Sequence, residues 1–486
     1  MADYSVPKRA ATGVLWTLVE RWSSRLLTLF VIAVLAHLLD PASFGVVAIV
    51  SSLIAVVSVF VEYGFAQALV QRDRVTDVDV WTSFWTCVIL GLVLFGLVWL
   101  VSPAIAGIFG QPELIYLLPV AGVMLIFSGL SSVPAAILQR DLLFKPLAVR
   151  QVIGTVAGSS IALLLAFGGA GVWALVLQPV VTAFASTVVL WAAARWRPRL
   201  QYSFASLRSN WRFSAQVVLL ELLNALQSNI DKFIVGVFFS PTQLGFYFLG
   251  QRILTVLIEV FASVLARVSL PALSRVQGDQ RRFLDYFYTF TFASSAVAFP
   301  VFALVAVFGY PLTSFLFGAE WAEVVPLMWL LMPSAALASV TFFDKSALLA
   351  KGRGAVSLGI ATGQFAFGTV LLLAAVPFGL YVVAAGRSLR QLLYWPVRIA
   401  ALNKYAGVRP LAYLRRFLTP TVGSGLIIIG GLILNGTPWA DAPTPIISFV
   451  VPASITLLGI YALFICWVER REVRRILAVL RTRDEE

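Results

Sequence analysis

Apolar runs of about 20 residues follow one another along almost the whole of this chain, at about 13–38, 44–70, 81–101, 115–138, 152–166 and 172–194. They continue at 213–238, 246–270, 286–307, 324–350, 356–376 and 382–401, with a last pair at 418–434 and 446–468. A helix of that length matches the roughly 30 Å hydrocarbon core of a bilayer. Inside that core every backbone N–H and C=O must be satisfied within its own segment, so such runs are helices. Hydrophobic residues make up 60% of the 486 and charged ones 12%, against roughly 45–50% and 25% in a soluble domain. A soluble globule and a disordered chain are excluded. The fold class expected is an all-α integral membrane protein of about fourteen transmembrane helices, an even number that places both termini on one side.

Lys and Arg decide which side, because basic residues of short loops stay in the cytoplasm. The connections at 39–43, 102–114, 167–171, 239–245, 308–323, 377–381 and 435–445 contain neither residue. Basic residues cluster instead at 71–80, 139–150, 195–212, 267–282, 351–354, 398–416 and beyond 468. Both termini are therefore expected in the cytoplasm. The formal charge of +13 reflects this distribution across the bilayer rather than affinity for nucleic acid. The first residues lack the cleavage region of a signal peptide, so the first apolar segment, which carries Glu20, Arg21 and Arg25, is expected to be retained.

An internal repeat groups the helices. Asp40-Pro41-Ala42-Ser43-Phe44-Gly45 after the first reads like Ser240-Pro241-Thr242-Gln243-Leu244-Gly245 after the seventh, 200 residues on. Parallel six-helix repeats are a recurring plan of alternating-access transporters, with substrate bound between the halves. The expected division is a six-helix bundle at 1–200, a second at 201–410, two further helices at 411–468 and a basic amphipathic tail at 469–486. In that tail Val473, Ile476, Leu477 and Leu480 oppose Arg470, Arg471, Arg474, Arg475 and Arg481, a pattern that lies on the lipid of an anionic leaflet.

Seven basic residues fall at membrane depth: Arg21, Arg25, Lys232, Arg252, Lys345, Arg387 and Arg390. An ionisable residue there is costly unless paired or hydrated, which makes each a candidate for function. Helical spacing gathers Arg21 with Arg25, Arg252 with Thr255 and Glu259, and Arg387 with Arg390, Gln391 and Tyr394. The seventh helix has a stripe of Glu221, Asn224, Ser228 and Asp231. Guanidinium matches the geometry of phosphate and stays charged, so the arginines suit a phosphate or pyrophosphate. Glu62, Glu221, Asp231 and Glu259 could carry protons or coordinate a cation in such a cavity; alternatively Arg21 with Glu62, and Asp231 with Arg252, form structural bridges. No P-loop, Cys/His cluster or H-E-x-x-H motif is present, and neither cofactor nor metal is expected. His37, the one histidine, falls near the outer end of the first helix, and Cys87 and Cys466 both lie in apolar runs.

Four stretches carry a resemblance to a known family. They are Asp40 to Gly45; Gly64-Phe65-Ala66-Gln67-Ala68-Leu69-Val70-Gln71-Arg72; Ile137-Leu138-Gln139-Arg140-Asp141-Leu142-Leu143-Phe144-Lys145; and Asn229-Ile230-Asp231-Lys232 through Leu244-Gly245-Phe246-Tyr247. Over about residues 10–400 the chain resembles the polysaccharide transporters, the Wzx-type oligosaccharidyl-lipid flippases of the superfamily that also holds the Lipid II flippase and the MATE antiporters. The resemblance implies a bacterial inner-membrane flippase that moves a polyprenyl-pyrophosphate-linked oligosaccharide outward, driven by an ion gradient. It implies glycosyltransferases and a polymerase as working partners. By position it makes Arg21, Arg25 and Arg252 counterparts of the arginines that contact pyrophosphate in the Lipid II relative. Where that relative has a basic residue on the second helix, this chain has Glu62. A MATE-like antiporter of organic cations is the alternative, followed by a membrane glycosyl polymerase or ligase.

Overall fold

A computed structural model describes residues 23–64, 66, 69, 75–194, 196–435 and 446–470. Every long helix falls on one of the apolar runs. They are α1 (Ser23–Leu38), α2 (Pro41–Glu62), α3 (Asp77–Phe109), α4 (Leu114–Arg140), α5 (Phe144–Phe167), α6 (Val172–Ala193) and α7 (Phe204–Phe238). The series continues with α8 (Pro241–Arg275), α9 (Gln280–Val307), α10 (Val324–Ala350), α11 (Gly354–Ala375), α12 (Leu380–Ala406), α13 (Pro410–Asn435) and α14 (Val451–Val468). No strand occurs among the described residues. A short helix, Gly309–Phe317, occupies the connection between α9 and α10.

Ten of these helices are long and apolar enough to cross a membrane, and the protein is a multi-pass membrane protein. The helices outside that set are α1, which spans 16 described residues, and α7, α8 and α12. The last three are the helices whose polar stripes stood out in the sequence. Their charge lowers the hydropathy that would otherwise mark them as spans, which is the cost expected of residues facing polar surroundings.

Local chemistry sets the helix starts. Thr76 and Asp79 form a reciprocal capping box on α3, with Thr76 N–H donating to Asp79 Oδ2 at 3.0 Å and Asp79 N–H to Thr76 Oγ1 at 3.3 Å. The repeat motifs open α2 and α8 in the same manner. Asp40 Oδ1 accepts the Ser43 N–H at 3.2 Å, and Ser240 Oγ accepts the Gln243 N–H at 3.3 Å, each ahead of a proline in the first turn.

The chain forms two compact units, 1–248 and 249–486, and the boundary lies within α8. In the first unit α2 packs on α4, α6 and α7, α3 on α4, and α5 on α6. There the two repeat motifs meet back to back. A methyl group on Gly45 would lie 1.9 Å from the carbonyl oxygen of Pro241, and one on Gly245 would lie 1.9 Å from that of Pro41. Only glycine permits this approach at both positions. In the second unit α12 packs on α10 and α11, and α13 on α9 and α14. Its core is aromatic, built around Phe283, Phe287, Phe343, Tyr413 and Phe417.

Candidate functional site

The second unit holds the densest polar interior. On α12 the residues Arg387, Arg390, Gln391, Tyr394 and Arg398 recur at helical spacing and share one face. Their bulk is accommodated by α11, where glycines stand opposite the largest side chains. A methyl on Gly368 would lie 1.8 Å from Arg390 Cδ, and one on Gly363 would lie 2.1 Å from Tyr394 Oη. Arg390 thus runs its aliphatic stem over bare backbone and is buried, 6% exposed. Arg387 and Arg390 both line a cavity of about 90 Å3, together with Gln251 and Thr255 of α8, Ser334 of α10 and Gln391. Its remaining lining is aliphatic, and no carboxylate is among the lining residues. Two guanidinium groups beside neutral amides and hydroxyls supply the donors that an anion would require.

Behind Gln391 lies a chain of hydrogen bonds that crosses four helices. Tyr413 Oη of α13 donates to Asp344 Oδ1 of α10 at 2.8 Å. Arg398 Nη1 stands 4.0 Å from Asp344 Oδ2 and donates to the Thr341 carbonyl at 3.4 Å. Arg398 Nη2 donates to Gln364 Oε1 at 2.9 Å, and Gln364 Nε2 passes the chain to Gln391 Oε1. Gln391 Nε2 then donates to Thr341 Oγ1 at 3.4 Å. Asp344 is 1% exposed, and Tyr413 and Arg398 are the partners that a buried carboxyl group requires. The chain gives the Gln391 amide one orientation at the cavity wall.

The first unit carries three of the four candidate acids, Glu62, Glu221 and Asp231. Glu62, exposed at the end of α2, accepts from Ser128 Oγ of α4 at 3.2 Å and feels the charge of Arg150 on α5. Glu221, half-buried on α7, accepts from Asn224 Nδ2 at 3.3 Å. Tyr63 lies within electrostatic reach of both carboxylates. Asp231 is fully buried and accepts from Tyr247 Oη at 2.8 Å, while Lys232 Nζ donates to Asn229 Oδ1 at 2.7 Å and lies 5.9 Å from the centre of the Phe248 ring.

Several sequence expectations can now be placed. Arg21 lies outside the described residues, as do the tail beyond 470 and the loop at 436–445. Arg25 is half-buried on α1. The predicted α12 stripe does converge on one cavity through Arg387, Arg390 and Gln391, with Tyr394 diverted to Gly363. The α8 stripe divides: Thr255 lines that cavity, whereas Arg252 and Glu259 are half-buried beside it along the helix. Lys345 is exposed.

Five participants escaped the sequence reading. Arg150 and Arg398, both assigned there to cytoplasmic basic clusters, sit within helices, Arg150 in the second turn of α5 and Arg398 on α12. Asp344, Gln364 and Tyr413 sit one per helix and form no stripe, so periodicity had nothing to detect. A lone acid inside the apolar run of α10 was the one available signal.

An all-helical membrane protein with a polar, arginine-lined interior describes a small class of folds, and solved structures identify which. Lipid II flippase MurJ in its inward closed conformation matches with a TM-score of 0.78 at 14% identity, covering 95% of this chain and 100% of that one. An inward-facing multidrug resistance MATE family transporter of the MOP superfamily matches with a TM-score of 0.60 at 16% identity, covering 83% and 94%. At these identities the likeness is one of fold. Residues 34–326 match the family described as Polysaccharide biosynthesis protein, and the chain belongs to that family. Among its relatives, the teichuronic acid biosynthesis protein TuaB of Bacillus subtilis is 25% identical over 78% of this chain and 79% of its own length. The succinoglycan biosynthesis transport protein ExoT of Rhizobium meliloti is 24% identical over 98% and 96%.

Proposed function

We propose that this protein is a flippase of the bacterial inner membrane. It carries a polyprenyl-pyrophosphate-linked oligosaccharide, an exopolysaccharide or O-antigen type of repeat unit, from the cytoplasmic to the outer leaflet by alternating access. The single observation that carries the reading is the cavity that places Arg387 and Arg390 together with no carboxylate among its lining residues. An exporter of organic cations needs the opposite, acids and aromatic faces at the binding position. The names of relatives such as ExoT and TuaB support a role in building a surface polysaccharide.

In this reading the chain crosses the membrane fourteen times with both termini in the cytoplasm. It divides into six-helix bundles at 1–200 and 201–410, a helix pair at 411–468 and a membrane-surface tail at 469–486. Arg21, Arg25, Arg252, Arg387 and Arg390 hold the pyrophosphate. Glu62, Glu221, Asp231, Lys232 and Glu259 couple transport to an ion gradient, and glycosyltransferases and a polymerase act before and after it.

Each arginine that meets phosphate contributes charge-assisted hydrogen bonds of roughly 1.5–3 kcal/mol, so one Ala substitution weakens binding by about ten- to a hundredfold. Lysine restores part of that loss, since it keeps the charge but not the planar fork. The test is transport of a lipid-linked oligosaccharide per folded molecule for Arg390→Ala, Arg390→Lys and Arg25→Ala in liposomes. Undiminished transport in all three refutes the anion cradle and returns the protein to the antiporter reading.

A further inference from the structure

A second recess, in the first unit, has a different chemistry. It is a groove of about 470 Å3 between α2, α3 and α7. On α7 the lining residues Trp211, Ala215, Val218 and Leu222 follow one helical stripe, faced by Ile89 and Val93 of α3. Gly64, just after the end of α2, also lines it, and an added methyl there would lie 3.6 Å from Val218 Cγ2. The stripe from Trp211 to Leu222 rises about 16 Å, at about 1.5 Å per residue. That is one leaflet's share, about 15 Å, of the hydrocarbon core.

One end of the groove is polar, and arginines stand on the segments that lead to it. Tyr202 lines it there, its hydroxyl 3.3 Å from Thr86 Oγ1. One turn before Trp211 on the same stripe stands Arg208, which is exposed. Arg199 is held nearby: Trp85 Nε1 donates to its carbonyl at 2.9 Å, Ser203 N–H donates to Thr82 Oγ1 at 3.1 Å, and its guanidinium lies 5.3 Å from the centre of the Trp81 ring. Aromatic rings with a hydroxyl or indole N–H, followed outward by arginine, are what a membrane–water interface selects.

We propose that this groove is a binding site for one anionic phospholipid of the cytoplasmic leaflet. An acyl chain fills the stripe between Trp211 and Leu222, the glycerol level meets Tyr202 and Thr86, and the phosphate meets Arg199 and Arg208. The occupant follows from the match of length to one leaflet and of charge to an anionic headgroup, since each basic residue near the surface favours such lipid by roughly fivefold. The sidedness rests on the topology proposed above. The site itself is independent of the arginine cavity, so the two readings fail separately.

The experiment measures lipid retained by the purified full chain after delipidation from mixed phosphatidylglycerol and phosphatidylethanolamine, by native mass spectrometry. Wild type is expected to retain phosphatidylglycerol preferentially. Ala215→Phe and, separately, Val218→Trp fill the groove and should abolish retention of both lipids, with the thermal unfolding midpoint reporting that each variant is folded. Ala215 is exposed, so its substitution leaves packing intact. Arg199→Gln combined with Arg208→Gln should erase the preference for phosphatidylglycerol, a change of roughly thirtyfold, and leave retention of phosphatidylethanolamine unaltered. Retention unaffected by either filling variant, or a prenyl phosphate in place of phosphatidylglycerol when both are offered, overturns the proposal.

Discussion

Substituting Gly45 with alanine tests the reciprocal contact between the two repeat motifs, and it predicts an unusual pattern of energies. The added methyl lies 1.9 Å from the Pro241 carbonyl oxygen and 2.7 Å from its carbonyl carbon; at Gly245 the matching distances, to Pro41, are 1.9 and 2.8 Å. A carbon–oxygen contact is comfortable at about 3.3 Å, so α2 and α8 must separate by about 1.4 Å at this point. The obstacle is backbone in the first helical turn, which has no rotamer to change, and the cost falls near the top of the overpacking range, about 3 kcal/mol. Alanine in a helix recovers about 1 kcal/mol relative to glycine. Gly45→Ala and Gly245→Ala should therefore each destabilise by about 2 kcal/mol. In the double variant one separation relieves both clashes while the helix preference counts twice, which leaves about 1 kcal/mol and makes the pair less harmful than either change alone. Unfolding of purified protein in detergent, followed by tryptophan fluorescence against denaturant, reads all three. Additive losses of about 4 kcal/mol in the double variant, or no loss in either single one, would refute the shared contact.

Asp344→Ala leaves Arg398, whose side chain is 18% exposed, without its carboxylate, and should cost about 3–5 kcal/mol of stability. Asp344→Asn keeps an acceptor for Tyr413 and should cost less, so equal losses would show that the hydrogen bond to Tyr413 contributes nothing and the lost charge accounts for the whole effect. Single cysteines at Gly110 and Phe317 should react with an impermeant thiol reagent applied to intact cells, and cysteines at Asp141 and Gly278 should not. The reverse labelling would overturn the cytoplasmic placement of both termini. Transport in liposomes should rise with an imposed proton or sodium gradient; equal rates without one would reduce Glu62, Glu221, Asp231 and Glu259 to structural roles.

The helices and the faces they present could be read from the chain alone, because both are one-dimensional. A bilayer demands apolar runs of a set length, and helical spacing alone puts Arg387, Arg390 and Gln391 on one stripe. The repeat was visible as two short motifs 200 residues apart, for the same reason. Which stripe meets which is a different kind of information. Gly363 and Gly368 look like ordinary membrane glycines until α12 lays Tyr394 and Arg390 across them. Arg252 and Thr255 share a stripe on α8, yet the cavity takes Thr255 with Gln251 of the adjoining row, because a partner helix covers an arc and not a period. Asp344 and Arg398 lie on separate helices with no pattern linking them, and their 4.0 Å approach exists only once α10 and α12 have packed. Periodicity specifies a surface one helix at a time, whereas side-chain volume, decided at each crossing by residues from both partners, specifies how the surfaces join.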